Sequence, residues 1–244
     1  MKGRILTYES LGMVDGPGLR FIAFLQGCPL RCLYCHNPDS WSPKGGRLVD
    51  SEDVVAEAMK YRNWMTGGGG LTLSGGEPLM QPEFTKAILD RTREKGIHTA
   101  LDTSGFGPLH KTKPVLASAD LILFDIKTMN EDLHKKLTGV DQNQTFPALD
   151  YLVEINKPLW VRHVLVPGLT DNESDLIALR DKLLKLPNLK RFDLLPFHKM
   201  GEEKWEEVNR KYTLKDTQTP LPEQVAKINS IFTEAGLPVG KAID

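Results

Sequence analysis

"RFIAFLQGCPLRCLYC" (residues 20–35) joins a short apolar run to a loop that contains every cysteine of the chain. The run at 20–27 has the near-continuous apolar character of a strand buried in a parallel sheet. Cys28, Cys32 and Cys35 follow it within eight residues. A chemically unusual loop directly after a buried parallel strand is typical of α/β folds, in which ligands bind beyond the carboxyl ends of the strands.

The same pattern, an apolar run followed by a helix-like polar segment, recurs along the chain. Five further runs resemble buried strands, at 70–76, 98–105, 120–127, 159–168 and 190–197. Apolar residues at helical spacing lie at 51–65, 81–96, 171–186 and 220–236. Six strand–helix units are too few for a complete eight-stranded barrel. They predict an α/β fold with a parallel sheet and outer helices, as a partial (β/α)6 barrel, with a flat doubly wound sheet as the alternative.

The composition of the chain fits one globular unit without a strong surface charge. Lys plus Arg number 31 and Asp plus Glu 32, so the broad positive field that nucleic-acid binding requires is missing. No apolar run approaches the roughly 20 residues of a transmembrane helix, and the first residues lack the apolar core of a signal peptide. We therefore expect a single domain over residues 1–244, in the cytoplasm, with neither nucleic acid nor membrane as a partner.

Residues of unusual chemistry lie at the ends of five of the six predicted strands, and two more lie on the fifth strand. They are Cys28, Gly75, Gly76, Glu77, Asp102, Thr103, Asp125, Lys127, Arg162, His163 and His198. Because the carboxyl ends of parallel strands meet at one edge, these side chains are expected to face a common pocket. Arg162 lies inside an apolar run, where an unpaired charge is costly, so it needs an anionic partner.

Three thiols at this spacing are compatible with three kinds of site. Residues 32–36 match the C-x-x-C-H pattern of haem attachment, but a haem site would leave Cys28 unused. A structural zinc site would need His36 as its fourth ligand, and His36 directly follows Cys35, which strains a tetrahedron. A [4Fe–4S] cluster on three cysteines leaves one iron without a protein ligand. An open position of that kind is where a substrate or cofactor would bind.

The motifs around the cysteines resemble those of the radical S-adenosylmethionine (SAM) superfamily. The C-x₃-C-x₂-C spacing, Tyr34 before the last cysteine and "GGEP" at 75–78 carry that resemblance. Further segments resemble the pyruvate formate-lyase-activating enzymes within it, namely VDGPGLRFIAFLQGC, YCHNPDSW, LDTSGF, FDIKTMN, VRHVLVPG and LLPFHKMG. Residues 36–70 contain no cysteine, so the ferredoxin-like insert of many other glycyl-radical activases is missing.

This resemblance implies a [4Fe–4S] cluster on Cys28, Cys32 and Cys35, with SAM bound at the open iron. Reductive cleavage of SAM would give methionine and a 5′-deoxyadenosyl radical, which abstracts hydrogen from a glycine of the partner enzyme. The implied partners are the glycine loop of pyruvate formate-lyase and a flavodoxin-like electron donor. One alternative is an activase of another glycyl-radical enzyme, such as the anaerobic ribonucleotide reductase. A non-catalytic metalloprotein, either an electron carrier or a zinc module, is the alternative from a different class.

The resemblance also implies which residues bind the cofactor. They are Tyr34, His36, Gly75, Gly76, Glu77, Asp102, Asp125, Lys127, Arg162 and His198. The two glycines and Glu77 would contact the methionyl ammonium group. Arg162 would reach the cofactor carboxylate, or would instead pair with Asp102 or Asp125. His163 is expected to serve in packing.

Charge near the cofactor leads to two further expectations. Asp102 and Asp125 would repel the cofactor's own carboxylate, so either a proton or a monovalent cation is needed between them. We expect Na⁺ or K⁺ at Asp102, Thr103 and Asp125. Asp15 and Gly16 belong to the turn "DGPG", and the resemblance implies that this segment helps to hold the partner's glycine loop.

Overall fold

The computed structural model describes residues 1–240, so residues 241–244 of the predicted domain lie outside the described part. Within it the strands are β1 (Lys2–Gly12), β2 (Arg20–Leu25), β3 (Arg47–Asp50), β4 (Gly70–Gly75), β5 (His98–Thr103), β6 (Leu121–Asp125), β7 (Leu159–Leu165) and β8 (Leu189–Pro196). The α-helices are α1 (Ser51–Met59), α2 (Pro82–Glu94), α3 (Leu109–Ser118), α4 (Glu131–Thr138), α5 (Thr145–Glu154), α6 (Glu173–Leu183), α7 (Glu202–Glu207) and α8 (Pro222–Thr233). None of these helices is long and apolar enough to cross a membrane.

All eight strands form one sheet in the order β3-β1-β2-β4-β5-β6-β7-β8. Strands β2, β4, β5, β6, β7 and β8 run parallel to one another, which confirms the six predicted parallel strands. The sheet has β3 at one edge and β8 at the other, so the barrel stays open in the described residues. Residues from β2 at one side to β8 at the other line a single cavity, which requires a curved sheet rather than a flat one.

Two strands that pair antiparallel extend this sheet and were not predicted. β1 pairs with both β2 and β3, and β3 is only four residues long. Side chains of β1 alternate between buried and more exposed positions, as expected for a strand with one covered face. The prediction of six strand–helix units therefore did not include β1 and β3, which form the antiparallel edge of the sheet.

The parallel strands have two different faces because successive side chains point in opposite directions. Leu71, Leu73 and Phe124 belong to the large apolar core under the helices, and none of them is exposed. The alternate residues of the same strands face the barrel interior. There, a small apolar layer of Ala100, Leu121, Leu123 and Trp160 lies below a polar layer at the strand ends. That polar layer forms the floor of the candidate site.

Candidate functional site

The carboxyl ends of the parallel strands surround a cavity of about 540 Å³. Most of the residues predicted for the site line it, namely Asp15, Cys28, Cys32, Tyr34, Cys35, His36, Gly75, Gly76, Glu77, Asp102, Thr103, Asp125, Lys127, Arg162 and His198. Gly16 and His163 are not among its lining residues. The expected convergence of strand-end groups on one pocket is thus observed in the structure.

The cysteine loop forms one wall of this cavity and is held by hydrogen bonds from three directions. Arg31 Nη1 donates to the carbonyl oxygen of Cys28 at 2.7 Å. The indole Nε1 of Trp205 donates to the carbonyl oxygen of Cys35 at 2.9 Å. Leu33 N–H donates to the last turn of α4 at 3.0 Å. These contacts leave the three thiols free, and none of them is in a disulfide.

The thiols are protonated at neutral pH when no metal is bound. Burial raises the pKa of Cys28, Cys32 and Cys35, that of Cys32 to about 12. Thiolates are soft ligands that suit iron–sulfur clusters and zinc, and a metal that binds here must displace the protons. No three His, Cys, Asp or Glu side chains among residues 1–240 are grouped to hold a single metal ion.

Two glycines let the main chain itself form the next wall of the cavity. Gly75 has φ of 107°, and a Cβ placed there would collide with the main-chain nitrogen of Leu25. At Gly76, a Cβ would strike the carbonyl oxygen of Gly27. Gly76 N–H donates to the carbonyl oxygen of Leu25 at 2.8 Å, which fixes this turn on β2. Only glycine fits here, and the exposed main chain can approach a ligand closely.

Glu77 ties the end of β4 to the end of β5. Its carboxylate accepts from Thr103 Oγ1 at 2.6 Å, from Ser104 Oγ at 2.6 Å and N–H at 2.9 Å, and from Leu79 N–H at 3.1 Å. The residue is 2 % exposed, and burial raises its pKa although these donors oppose the shift. Ser104 was not predicted as part of the site. The contact of Glu77 with a cofactor stays a prediction.

Arg162 lies between three carboxylates. Its Nε donates to Asp125 at 3.1 Å, its Nη1 to Asp15 at 3.2 Å and its Nη2 to Asp102. The expected need of this strand arginine for an anionic partner is therefore met inside the protein, by both of the aspartates that were named as candidates. The bond to Asp15 crosses the barrel interior and joins the β1–β2 connection to β7. A contact of Arg162 with the cofactor carboxylate stays a prediction.

The two β-strand aspartates respond to this network in opposite ways. Burial, together with the charges of Asp125 and Asp15, raises the pKa of Asp102 despite Arg162. For Asp125 burial acts in the same direction, but Lys127 and Arg162 outweigh it and lower the pKa to about 2. Lys127 lies 2.7 Å from Asp125, which raises the pKa of this lysine well above its ordinary value against the effect of burial.

The Asp125→Asn variant is expected to be less stable than the wild type by about 2 kcal/mol at pH 7. A carboxylate whose pKa is lowered on folding adds stability above its unfolded pKa, near 4, and loses it as the pH falls towards 2. The deficit should therefore be equal at pH 7 and pH 5 and shrink at pH 3. Urea denaturation of the cluster-free proteins at the three pH values measures it, and a deficit that grows on acidification contradicts the assignment.

Aromatic and histidine side chains on the cavity wall present polar atoms without partners. His36 and His198 stack with ring centroids 4.2 Å apart, and His36 Nε2 donates to the His198 carbonyl oxygen at 3.1 Å. Burial lowers the pKa of both rings. His198 Nδ1 and the Tyr34 hydroxyl are buried and find no hydrogen-bond partner within residues 1–240. Orphaned polar atoms beside three free thiols fit a site that is completed by a polar ligand.

Several contributors to the site were missed in the sequence. Ser74 Oγ donates to Asp102 at 2.6 Å, from a strand position two residues after the inward-facing Thr72. Period-2 alternation in "LTLSGG" was the available signal for it. His163 is buried as expected, but its Nδ1 also donates to the Ile126 carbonyl oxygen at 2.9 Å. It thus supports the segment that carries Lys127.

Comparison with known proteins agrees with this geometry. A family model described as the radical SAM superfamily matches residues 22–179. The present structure is similar to the crystal structure of a domain of pyruvate-formate lyase-activating enzyme from Bacteroides vulgatus. The superposition covers 98% of that domain and 70% of the present chain. The TM-score is 0.59 and the sequence identity 28%.

Two relatives that match over at least 90% of their own length carry a specific name. The pyruvate formate-lyase-activating enzyme of Streptococcus mutans is 44% identical over 94% of this chain and 90% of its own. The pyruvate formate-lyase 1-activating enzyme of Escherichia coli strain K12 is 40% identical over 96% of each chain. The chain therefore belongs to the radical SAM superfamily and, within it, to the family of pyruvate formate-lyase-activating enzymes.

Proposed function

We propose that this protein is an activase that installs a glycyl radical on pyruvate formate-lyase. Membership of the superfamily brings a [4Fe–4S] cluster and SAM with it, and together these supply a 5′-deoxyadenosyl radical that removes a hydrogen atom from glycine. The observation that carries the proposal is the single cavity with three free thiols on one wall and strand-end polar groups on the others. Relatives of this name that match at least 94% of the chain support the same activity.

Cys28, Cys32 and Cys35 would hold the cluster. The carbonyl groups of Cys28 and Cys35 are already fixed by Arg31 and Trp205, so the loop is organised before the cluster binds. A preorganised ligand loop loses less conformational entropy when the metal arrives. Three thiolates would leave one iron without a protein ligand, and all three cysteines line the cavity.

The residues across the cavity from the cysteines would bind SAM. The main chain at Gly75 and Gly76 and the carboxylate of Asp102 face the cavity and suit an ammonium group. Lys127 and Arg162 offer positive charge to a carboxylate. The unpaired Nδ1 of His198 suits a nucleoside hydroxyl or amino group. In our proposal Tyr34, His36, Glu77 and Asp125 complete this set, as the motif resemblance implies.

The charges in the cavity support a bound monovalent cation. Within residues 1–240, the ion-pair network of the cavity joins three carboxylates, Asp15, Asp102 and Asp125, to two basic groups, Arg162 and Lys127. One negative charge is left over, and the carboxylate of SAM would add another. In our proposal Na⁺ or K⁺ at Asp102, Thr103 and Asp125 offsets it, so activity should fall when both ions are replaced by a bulky organic cation.

The partner and the electron donor complete the proposal. Asp15 and Gly16, in the connection between β1 and β2, would help to hold the glycine loop of pyruvate formate-lyase. Arg31 is exposed beside the cysteine loop, which gives a small flavodoxin-like donor access to the cluster. A cytoplasmic location fits free thiols, because cytosolic reductants keep thiols reduced.

Electron paramagnetic resonance of the anaerobically reconstituted protein tests the proposal. The reduced protein should show a [4Fe–4S] signal that changes when SAM is added, and a glycyl-radical doublet when pyruvate formate-lyase is also present. A cluster signal indifferent to SAM would point to an electron carrier. A SAM-dependent change without a glycyl radical on pyruvate formate-lyase would indicate that the substrate is another glycyl-radical enzyme. The absence of an iron signal would contradict the proposed radical chemistry.

A further inference from the structure

Arg20 is a buried charged residue that the proposed chemistry does not use. It is 1 % exposed, and its donors meet a hydroxyl, main-chain carbonyl oxygens and the Nδ1 atom of His98 rather than a carboxylate. Nη1 donates to the Pro17 carbonyl oxygen at 3.0 Å, and Nη2 to the Leu71 carbonyl oxygen at 2.9 Å. Burial lowers the pKa of this guanidinium to about 10, which shows how unfavourable the position is. A buried charge of this kind is costly, so we looked for the contacts that Arg20 stabilises.

Thr72 links Arg20 to the connection between β1 and β2. This side chain is fully buried in β4, next to β2. Its Oγ1 accepts from Arg20 Nε at 2.6 Å and donates to the Asp15 carbonyl oxygen at 2.7 Å. Together, Arg20 and Thr72 therefore hold two carbonyl groups of the connection between β1 and β2. We call residues 13–19 the mouth segment.

These hydrogen bonds hold the inner side of an otherwise irregular segment. The mouth segment has no regular secondary structure, and Gly16 and Gly18 have φ of 121° and 66°. Its outer side is exposed, with Met13 at 74 %. Its Asp15 lines the cavity and reaches across it to Arg162 at 3.2 Å. The position of the Asp15 carboxylate thus depends on where the main chain of Asp15 is held.

We propose that Arg20 and Thr72 are positioning residues for recognition of the partner's glycine loop. They act through the mouth segment, whose main chain they fix so that Asp15 stays against Arg162 and the open side of the barrel keeps one shape. This inference rests on the proposed function, because the glycine loop is the ligand that the segment receives. Neither residue lines the cavity, so neither would contact SAM.

The Thr72→Val variant tests the proposal, because it removes the hydroxyl at nearly constant volume. The KM for pyruvate formate-lyase should rise about tenfold, the effect of losing a buried hydrogen bond that leaves both former partners unpaired. The kcat and the change of the cluster signal on adding SAM should stay within about twofold, since a pure KM effect reports lost binding. Amide hydrogen exchange of residues 13–19 should become faster in the holoenzyme.

Two further variants separate positioning from general structural damage. Thr72→Ser keeps the hydroxyl and should restore the KM to within about twofold of the wild type. Thr99→Val is the matched control, because Thr99 is equally buried on the neighbouring strand and its Oγ1 donates to Asp120 at 2.9 Å, not to the mouth segment. If Thr72→Val does not fold, Arg20→Lys should raise the KM in the same direction.

Each outcome of these measurements either supports or contradicts the positioning role of Thr72. Unchanged KM and unchanged exchange in Thr72→Val, or no rescue by Thr72→Ser, would overturn the proposal. An equal fall in kcat with a lost response to SAM would overturn it too, because the residue would then serve the cofactor. If the wild type makes no glycyl radical on pyruvate formate-lyase, the proposed function and the recognition role both fail. Exchange of the mouth segment still decides, in that case, whether Thr72 anchors it.

Discussion

The Cys32→Ala variant is expected to lose the SAM-dependent cluster signal and the glycyl-radical activity together. The loss should exceed about 100-fold, the upper end of what removing an outer hydrogen-bonding partner of a metal ligand costs. Cys32 is the most buried of the three cysteines, with 9 % exposure, and in the proposed site it would supply one of three protein ligands. With three cysteines a [4Fe–4S] cluster already lacks a fourth protein ligand, so we do not expect two thiolates to retain it. Iron and sulfide analysis after anaerobic reconstitution, followed by electron paramagnetic resonance, measures the effect.

Leu33→Ala is the matched control for this variant. Leu33 lies in the same loop, is partly buried against the same apolar cluster and leaves the three thiols in place. It should retain its iron and its response to SAM, even if the loop becomes less stable. Circular dichroism should show both variants folded. If Cys32→Ala keeps a normal cluster, the thiol is not a ligand. If Leu33→Ala loses iron to the same extent, the loss in Cys32→Ala reflects damage to the loop.

Much of the parallel sheet could be predicted because its strands are buried on both faces. The runs 120–127 and 159–168 contain the consecutive apolar residues 121–124 and 164–166, as expected for strands covered on both sides. The strand β1 gave a weaker signal, since only one of its faces is covered and its partners are antiparallel. Helix α3 was obscured by Pro114 in its interior.

Helix α4 shows that a readable signal was overlooked. Asn130 caps its first turn, with the side-chain oxygen accepting from Leu133 N–H at 2.8 Å. Gly139, with φ of 76°, ends it in the left-handed conformation. Both residue types are standard helix boundaries, and the short length of the helix hid the apolar period between them. This helix matters because its last turn holds the cysteine loop.

The sequence predicts which residues lie at the site, because these follow from strand positions. It does not predict which of these side chains form hydrogen bonds with each other. Strand ends of a parallel sheet must meet, so the convergence of Asp102, Asp125 and Arg162 follows from the fold. The contact between Asp15 and Arg162 joins residues 147 positions apart through a connection without regular structure. No local pattern encodes such a contact. The hydrogen bonds that Thr103 and Ser104 donate to the Glu77 carboxylate likewise depend on the register of β4 against β5.

The Arg162→Met variant is expected to be destabilised by about 3 to 5 kcal/mol at pH 8, because it leaves buried carboxylates without their common cation. Arg162 is 9 % exposed and serves Asp15, Asp102 and Asp125. Without it, the folded-state pKa of Asp102 should rise further, since burial already raises it. A carboxyl group with a raised pKa loses stability as the pH rises through that pKa. The deficit should therefore be larger at pH 8 than at pH 5.

Urea denaturation of the cluster-free proteins at both pH values measures this deficit. Arg162→Lys restores one charge but not the planar fork that reaches three carboxylates, so it should recover only part of the stability. Arg91→Met removes an exposed partner of Glu52 and should cost less than about 1 kcal/mol at either pH. A small deficit in Arg162→Met, or one independent of pH, would mean that Lys127 and solvent already neutralise the carboxylates. Arg162 would then hold the mouth segment by geometry rather than by charge.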